Sequence, residues 1–390
     1  MRGIKQGTVT VLLLGCLICC SSVAYAEGDS LVTSLGLKEE YNDNIFLTDE
    51  DEIDDFITSV SPGIEFRRRY ERVSASLKGL LDLTTYSDNS DLSEVDQLYT
   101  GDFRYLLTQR LSFSGEASFK RDSRPDRDID ETGLTFGTET RKRQNYSAGI
   151  GYSLTEKTGM NIRYAHGRED FDDPEFTDYK SHAVDAGFNH NLSSWISSTT
   201  GRLNLGYTRL DYLTTDIDYY RLTIGAERQW TEIYSYYFDV GVRSIHSEFN
   251  ALGEKDDSMG GVVKLGMRYK GELTYGDAFF SHDVAAASGR TGTTERTSFV
   301  FALQRRLSEK FTASLNGGYF LNKSDRGELA ENDIDKETWK ITPLLAYKIS
   351  RYFTLEGSYT YTHIKDKAES EDRDRNLVFA RLVLQYPFFE

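Results

Sequence analysis

From residue 27 onward the chain consists of short segments in which apolar and polar residues alternate one by one. Leu111, Phe113, Gly115, Ala117 and Phe119 alternate with Ser112, Ser114, Glu116 and Ser118. Tyr146, Ala148, Ile150, Tyr152 and Leu154 repeat the pattern, as do Leu203, Leu205 and Tyr207. A two-residue period assigns the two sets to opposite faces of a strand. Such segments begin near residues 31, 55, 73, 96, 111, 143, 159, 180, 200, 219, 236, 259, 272, 295, 311, 337, 353 and 375, giving 18. An even number of dyad-patterned strands is the habit of bacterial membrane barrels. The expectation is an all-β fold: a transmembrane antiparallel up-and-down β-barrel of 16–18 strands over residues 30–389. Alternation breaks at Phe279-Phe280, which predicts a β-bulge there. No apolar run of the ~18 residues that a membrane helix needs follows residue 27. A closed barrel is then the remaining way for this chain to span a membrane, because only helices and closed barrels satisfy every backbone amide internally.

The connections alternate in character. Arg69–Arg72, Thr108–Arg110, Thr155–Thr158, Ser308–Lys310 and Ser350–Tyr352 are short. Leu47–Asp55, Arg124–Lys142, Arg168–Asp178, Leu252–Ser258, Lys323–Lys336 and Asp366–Arg375 are long and acidic. Membrane barrels pair short periplasmic turns with long external loops. The long set is therefore expected outside, with both chain ends in the periplasm. Arg67, Arg68, Arg69, Arg72, Arg110, Arg305, Arg306, Lys310, Lys348 and Arg351 gather at or beside the short turns.

Residues 1–26 read as an export signal: Arg2 and Lys5 precede a largely apolar stretch, and Ala24-Tyr25-Ala26 fits the cleavage site. A signal anchor and a lipid-modified Cys16 within Leu13-Leu14-Gly15-Cys16 are the alternatives. The domain reading is a signal over 1–26 and one barrel over 27–390. Cleavage removes Cys16, Cys19 and Cys20, the three cysteines of the chain, and with them any disulfide or thiolate chemistry. It also removes two cations, taking the formal charge from −16 to −18. That acidity argues against nucleic acid as a partner. The chain carries 25 Tyr and 22 Phe at a mean hydropathy of −0.52. Aromatic girdles around a polar lumen give that combination.

Alternation also selects a candidate site. Lys78, Glu116, Arg163, Arg202, Arg221, Glu227, Asp239, Arg243, Lys264, Arg268, Glu356 and Arg381 fall on the polar parity of their strands. That face must turn inward, since Arg or Lys on the lipid face at mid-membrane costs about 2–4 kcal/mol. Such charges either line a selective pore or pair across strands and fill the barrel. Gly149, Gly151, Gly187, Gly206, Gly225, Gly241 and Gly266 share the inward parity. They imply strong curvature, inward-folded loops, or a smooth path for a polymer. Tyr237 and Phe320 are inward aromatics able to stack on sugar rings; Phe188 and Tyr207 fall on the lipid side. The acidic runs Asp49–Asp55 and Glu369–Asp372 offer oxygen ligands for a divalent cation. No hydrolase, metalloprotease or phosphate-loop motif is present. The six histidines are scattered, and His166, near Glu169 and Asp170, is the one with hydrolase-like neighbours. No cofactor is called for.

Two segments carry a family resemblance. Leu37-Lys38-Glu39-Glu40-Tyr41-Asn42-Asp43-Asn44-Ile45-Phe46 resembles the opening strand of the β-barrel porin 2 family. The strand Phe56–Phe66, with Ser61-Pro62-Gly63, resembles that family's second strand. The resemblance implies an outer-membrane barrel associated with exopolysaccharide export, without catalytic residues. A general diffusion porin for small solutes is the alternative function, and an outer-membrane hydrolase a further one. The partners expected are outer-membrane lipid, the barrel-assembly machinery and polysaccharide-export components. Barrels usually end on an aromatic residue; here Leu382, Leu384, Tyr386 and Phe388 alternate, but Phe389-Glu390 follows.

Overall fold

Strands rich in aliphatic and aromatic residues on one parity, separated by polar turns, pair with their sequence neighbours in this chain from end to end. The computed structural model describes residues 28–124, 128–135, 139–250, 253–324 and 334–389. The signal reading and the three cysteines lie outside these residues.

The strands are β1 Asp29–Asn42, β2 Asp55–Arg69, β3 Val73–Tyr86, β4 Glu94–Leu106, β5 Leu111–Asp122 and β6 Arg141–Ser153. They continue as β7 Thr158–Phe171, β8 Tyr179–Asn191, β9 Thr199–Tyr212, β10 Thr215–Gln229, β11 Tyr234–Phe249 and β12 Glu254–Lys270. The last six are β13 Thr274–Ala286, β14 Thr293–Arg306, β15 Phe311–Ser324, β16 Asp335–Lys348, β17 Phe353–Asp366 and β18 Glu371–Phe389. One short helix, α1 (Ile129–Thr132), lies between β5 and β6. Each strand pairs antiparallel with the next, and β1 pairs with β18 from Leu31↔Phe389 to Asn42↔Leu377. The sheet is a closed 18-stranded barrel, at the upper end of the expected count.

The outer face is the apolar one. Leu77, Ile150, Ile162, Leu205, Leu222, Ile224 and Val242 are all exposed. Aromatic rings border this aliphatic band at both ends. Tyr41–Phe56, Tyr207–Tyr220 and Tyr319–Trp339 pair at the long-loop end, at centroid distances of 5.0, 5.1 and 4.3 Å. Tyr234–Tyr269, Phe311–Tyr347 and Tyr352–Tyr386 do so at the short-turn end. An exposed apolar band between two girdles on a closed barrel belongs in a bilayer, and barrels of this kind occupy the bacterial outer membrane.

Asn42, Asp43 and Asn44 reinforce the seam at the outer end of β1. The Asp43 carboxylate accepts the Asn376 backbone N–H and its side-chain amide, both at 2.7 Å. Fully buried Asn44 donates to the Thr48 and Asp374 carbonyls.

Three expectations change. The β13–β14 register runs unbroken through Phe279↔Val300 and Phe280↔Phe299, so no bulge sits there. Instead β13 leaves β12 above Val263↔His282, and its outer end leans inward. The expected loops Leu252–Ser258 and Asp366–Arg375 are largely strand, since β12 begins at Glu254 and β18 at Glu371. Alternating charges on those stretches pair across the hairpin and extend it. And β9 joins β10 through only Leu213 and Thr214, so that external connection is short.

The band makes a testable prediction. Ile224→Arg, on the lipid face, should lower folding stability by about 2–4 kcal/mol, whereas Ser114→Arg, on the inner face, should change it little. Urea titration of the folded, heat-modifiable form in lipid vesicles checks both.

Candidate functional site

All twelve charged positions selected by alternation lie on the face opposite the apolar band, and so inside the barrel. Ten of them form ion pairs. Glu116 meets Arg163 at 2.5 Å, and Glu356 meets Arg381 at 2.5 Å. Arg202 contacts Glu227 at 3.3 Å and Asp239 at 2.9 Å. Arg221 sits between Asp185 (3.2 Å) and Asp283 (3.5 Å). Arg243 meets Glu295 at 3.2 Å, and Arg268 meets Asp277 at 3.3 Å. Lys78 and Lys264 hold no ion pair among the described residues. Most of these pairs are solvated, where an ion pair is worth about 0–1 kcal/mol. They fix the electrostatic texture of the lumen more than the stability of the wall.

Inward glycines make room for these side chains. A Cβ on Gly206 would stand 2.9 Å from the Asp185 carboxylate and 3.4 Å from Arg221. On Gly266 it would collide with the Tyr237 ring. Arg202 lies over that ring at 5.5 Å. Phe320 is 2% exposed, covered by Gly133 of the β5–β6 loop. Neither aromatic offers an open stacking surface.

The largest departure from expectation is the β5–β6 loop. Its length and acidity place Arg124–Lys142 outside; the structure folds its described part into the lumen. Arg124 reaches Glu40 on β1 at 2.7 Å. The α1 segment then lies against β15–β17. Asn322 donates to the Thr132 carbonyl at 2.8 Å, and Thr338 donates to the Gly133 carbonyl at 2.5 Å. Lys340 pairs with Asp130 at 2.6 Å. Ile129 is fully buried against Leu47 and Ile364. Gly133 has φ +69, and a Cβ there would lie 2.3 Å from Phe320, so no side chain fits.

The loop is anchored on the β6 side by a buried charge cluster. Arg141, 0% exposed, contacts Asp122 (3.2 Å), Asp128 (2.5 Å) and Glu169 (3.5 Å). Arg143 joins Glu169 at 2.9 Å, and Lys120 joins Asp122 at 2.8 Å. Three carboxylates thus meet three cations. Burial opposes the charge on Asp128, yet the Arg141 hydrogen bond and the nearby positive charges hold its carboxyl below the usual carboxylate range. Ser288, in the β13–β14 loop, hydrogen-bonds both Glu169 and Arg141.

That second loop also turns inward. Tyr212 donates to the Gly292 carbonyl at 2.8 Å, and Thr177 bridges Gly289. Val284 and Ala286 pack on inward Leu210, Tyr212, Ile217 and Ile245. The outer half of the lumen is therefore occupied. Further in, Ser114, Asn145, Asn161, Arg163 and Asn189 remain exposed. A polar cavity of ≈ 840 Å³ is lined there by Thr100, Asp102, Ser114, Glu116, Ser147 and Arg163. A second, of ≈ 480 Å³, lies between α1 and the β1 and β14–β18 wall on which it packs, lined by Lys38, Arg124, Asp130, Phe320, Lys340 and Arg375.

The other candidates separate. His166 stacks on His182 at 4.6 Å on the outer face, while Glu169 points inward to Arg143. Asp55, at the end of the acidic run, accepts backbone N–H groups from Ser87, Asp88 and Asn89. Among the described residues no three His, Cys, Asp or Glu side chains converge as metal ligands. The inward loop left one mark in the sequence: apolar residues, Ile129 and Leu134 among them, punctuate a mostly polar stretch, as Ile45 and Leu47 do in the first loop.

No family model matches the chain, and no curated protein matches it. Solved barrels resemble it in shape. OpdK of Pseudomonas aeruginosa, crystallised with vanillate, shares 11% identity, covering 91% of this chain and 99% of its own, at a TM-score of 0.49. OccAB4 of Acinetobacter baumannii shares 10%, covering 92% and 99%, at 0.49. OpdQ of Pseudomonas aeruginosa shares 9%, covering 93% and 100%, at 0.49. At such identities and scores, what those proteins bind stays with them.

The anchor makes two predictions. Arg141→Met removes one partner of a buried network and should cost about 3–5 kcal/mol at the loop. Trypsin should then cut within residues 124–142 at concentrations that leave the native protein intact. The pH dependence follows from Asp128. A carboxyl held below its ordinary range keeps its stabilising charge above the unfolded-state value, about pH 4, and loses it as pH falls through the lowered folded-state value. Protection of the loop should therefore persist from pH 8 to pH 5, as limited proteolysis at the two pH values would report.

Proposed function

We propose that the protein is a passive outer-membrane channel for small solutes. The observation that carries this reading is the β5–β6 loop, lying across the lumen and tied to both walls. A barrel of 18 strands is wide enough for an aqueous interior, and a fixed crossing segment narrows it to the scale of small molecules. The twelve charged side chains then act as a mixed-sign lining that favours polar solutes over apolar ones.

Service in exopolysaccharide export is the second reading. It draws on the resemblance in Leu37–Phe46 and Phe56–Phe66. Those residues have a structural task here, since Asp43 and Asn44 reinforce the β1–β18 seam. A polymer would also need a continuous thread-width path, and the outer half of the lumen holds two inward loops.

Purified protein in planar bilayers tests the proposal. Small, steady single-channel currents are expected. Deletion of residues 128–135 should enlarge the conductance while the barrel still folds. A silent wild-type protein together with a silent deletion variant would overturn the channel reading.

A further inference from the structure

Among the described residues, the edge of β12 that faces β13 has no ladder partner from Glu254 to Val262. The matching edge of β13 has none from Asp283 to Ala286. Both strands stay paired on their other side, β12 with β11 out to Phe249↔Glu254 and β13 with β14 out to Ala286↔Thr293. A bare strand edge invites pairing, and charge is a usual way to blunt it. Glu254, Lys255, Asp256 and Asp257 blunt the outermost part. Below them Met259, Gly260, Gly261 and Val262 carry no charge. Met259 is 82% exposed, and nothing lies within 4 Å of the Cβ position at Gly261.

The residues on the two edges suit a pairing that is absent here. The existing register sets Leu265 against Phe280 and Val263 against His282. Continued outward, it would set Gly261 against Val284 and Met259 against Ala286. Val284 and Ala286 share the parity of Ala278 and Phe280, which stand opposite exposed Met267 and Leu265. Zipped in this register, both strands would turn apolar groups outward, as a wall strand requires. Instead Val284 and Ala286 pack inside, on Leu210, Tyr212, Ile217 and Ile245. Scattered polar ties accompany that contact. Tyr219 donates to Asp283 at 2.6 Å, and Arg221 lies 3.5 Å from the same carboxylate. Arg243 reaches Glu295 at 3.2 Å and donates to the Gly261 carbonyl, where β13 would otherwise bond. Farther out, Tyr212 holds the Gly292 carbonyl and Glu169 holds Ser288.

We propose that the β13–β14 hairpin has a second seat, in which β13 zips onto β12 outward from Val263↔His282 and withdraws Val284 and Ala286 from the lumen. Exchange between the seats trades the inner contacts for backbone bonds along both edges. The functional role rests on the channel reading above: seated inward the hairpin narrows the path, and zipped it clears the path.

Cysteine pairing in lipid vesicles tests the second seat, since the chain's own cysteines end at Cys20. V263C/H282C, directly opposite in the existing ladder, should crosslink promptly on oxidation. M259C/A286C should crosslink more slowly, as the hairpin visits the wall. Adding D283N/E295Q, which loosens the inner seat, should speed that crosslink by roughly fivefold. In planar bilayers, oxidised M259C/A286C should pass larger currents than the same protein after reduction. The proposal is overturned if M259C/A286C stays reduced in the D283N/E295Q background while V263C/H282C closes. It is equally overturned if the crosslink forms in a conducting protein and leaves the current unchanged. Thiol counting needs no current, so the second seat and the channel reading fail separately. Heat-modifiable migration establishes that each variant is folded.

Discussion

Inside hydrocarbon a backbone N–H can bond only to another group of the chain, and everything in this molecule answers to that requirement. Eighteen strands bonded only to sequence neighbours would leave two bare edges, so β1 and β18 must meet. Twelve residue pairs join them, and Asp43 adds a carboxylate clamp to Asn376 at the outer end. The rule relaxes most in one place, with shorter breaks in the ladder at Pro62 and Pro343. Above Val263↔His282, β12 and β13 part company. Met259 faces outward at the level of Tyr220, so most of the gap lies at or beyond the aromatic row, where water is available. At its inner limit Arg243 donates to the Gly261 carbonyl at 3.0 Å and holds Glu295 on β14. A side chain there replaces part of the missing ladder.

Closure then dictates the chemistry of the interior. Once one parity is given to lipid, every charge on the spanning strands must use the other parity. Mixed signs packed on a concave face find each other across one or two strands, and small residues between them clear the way. Gly206, between Asp185 and Arg221, is such a residue. The partly solvated pairs cost little to keep. The Arg141 cluster differs, because desolvating three carboxylates and the Arg141 guanidinium is expensive unless geometry and hydrogen bonding are nearly complete. Its position at the root of the crossing loop suits a role in fixing one placement of that loop: an apolar contact would tolerate sliding, whereas converging charges do not.

The barrel was legible in the sequence because a period of two is enforced strand by strand, at every pleat. All eighteen strands begin within five residues of the positions that alternation gives, and β2, β3, β5, β15 and β17 begin at them. The inward orientation of the candidate charges was legible for the same reason. Their pairing was not, since parity names a face and leaves open which strand a side chain reaches. The crossing loop was hidden for a different reason. Asp128 and Arg141, like the exposed Asp130 and Glu131 beside them, have the composition of a solvated loop, and burial of the first two became possible only through partners as distant in sequence as Glu169 and Ser288. The separation of β12 from β13 likewise depends on where Val284 and Ala286 find apolar company, on β9–β11 two to four strands along the wall.

These constraints divide the interior into two regimes. Toward the short turns the inner wall is serine, asparagine and glycine, small groups that hold water and leave space. Toward the long loops apolar Ile57, Leu210, Ile217, Ile245 and Phe320 join the buried Arg141 cluster, and these groups are covered and paired rather than open to water. A pore needs only the first regime. The second would be wasted on an open tube, because inward apolar side chains facing water gain nothing from their position. They gain it when a loop folds down to cover them, as α1 covers Phe320 and as Val284 covers Leu210. The outer lining and the inward loops are therefore one unit, and in the channel proposed above a solute would meet the narrowest step where that unit crosses the path, not at the wide polar vestibule below.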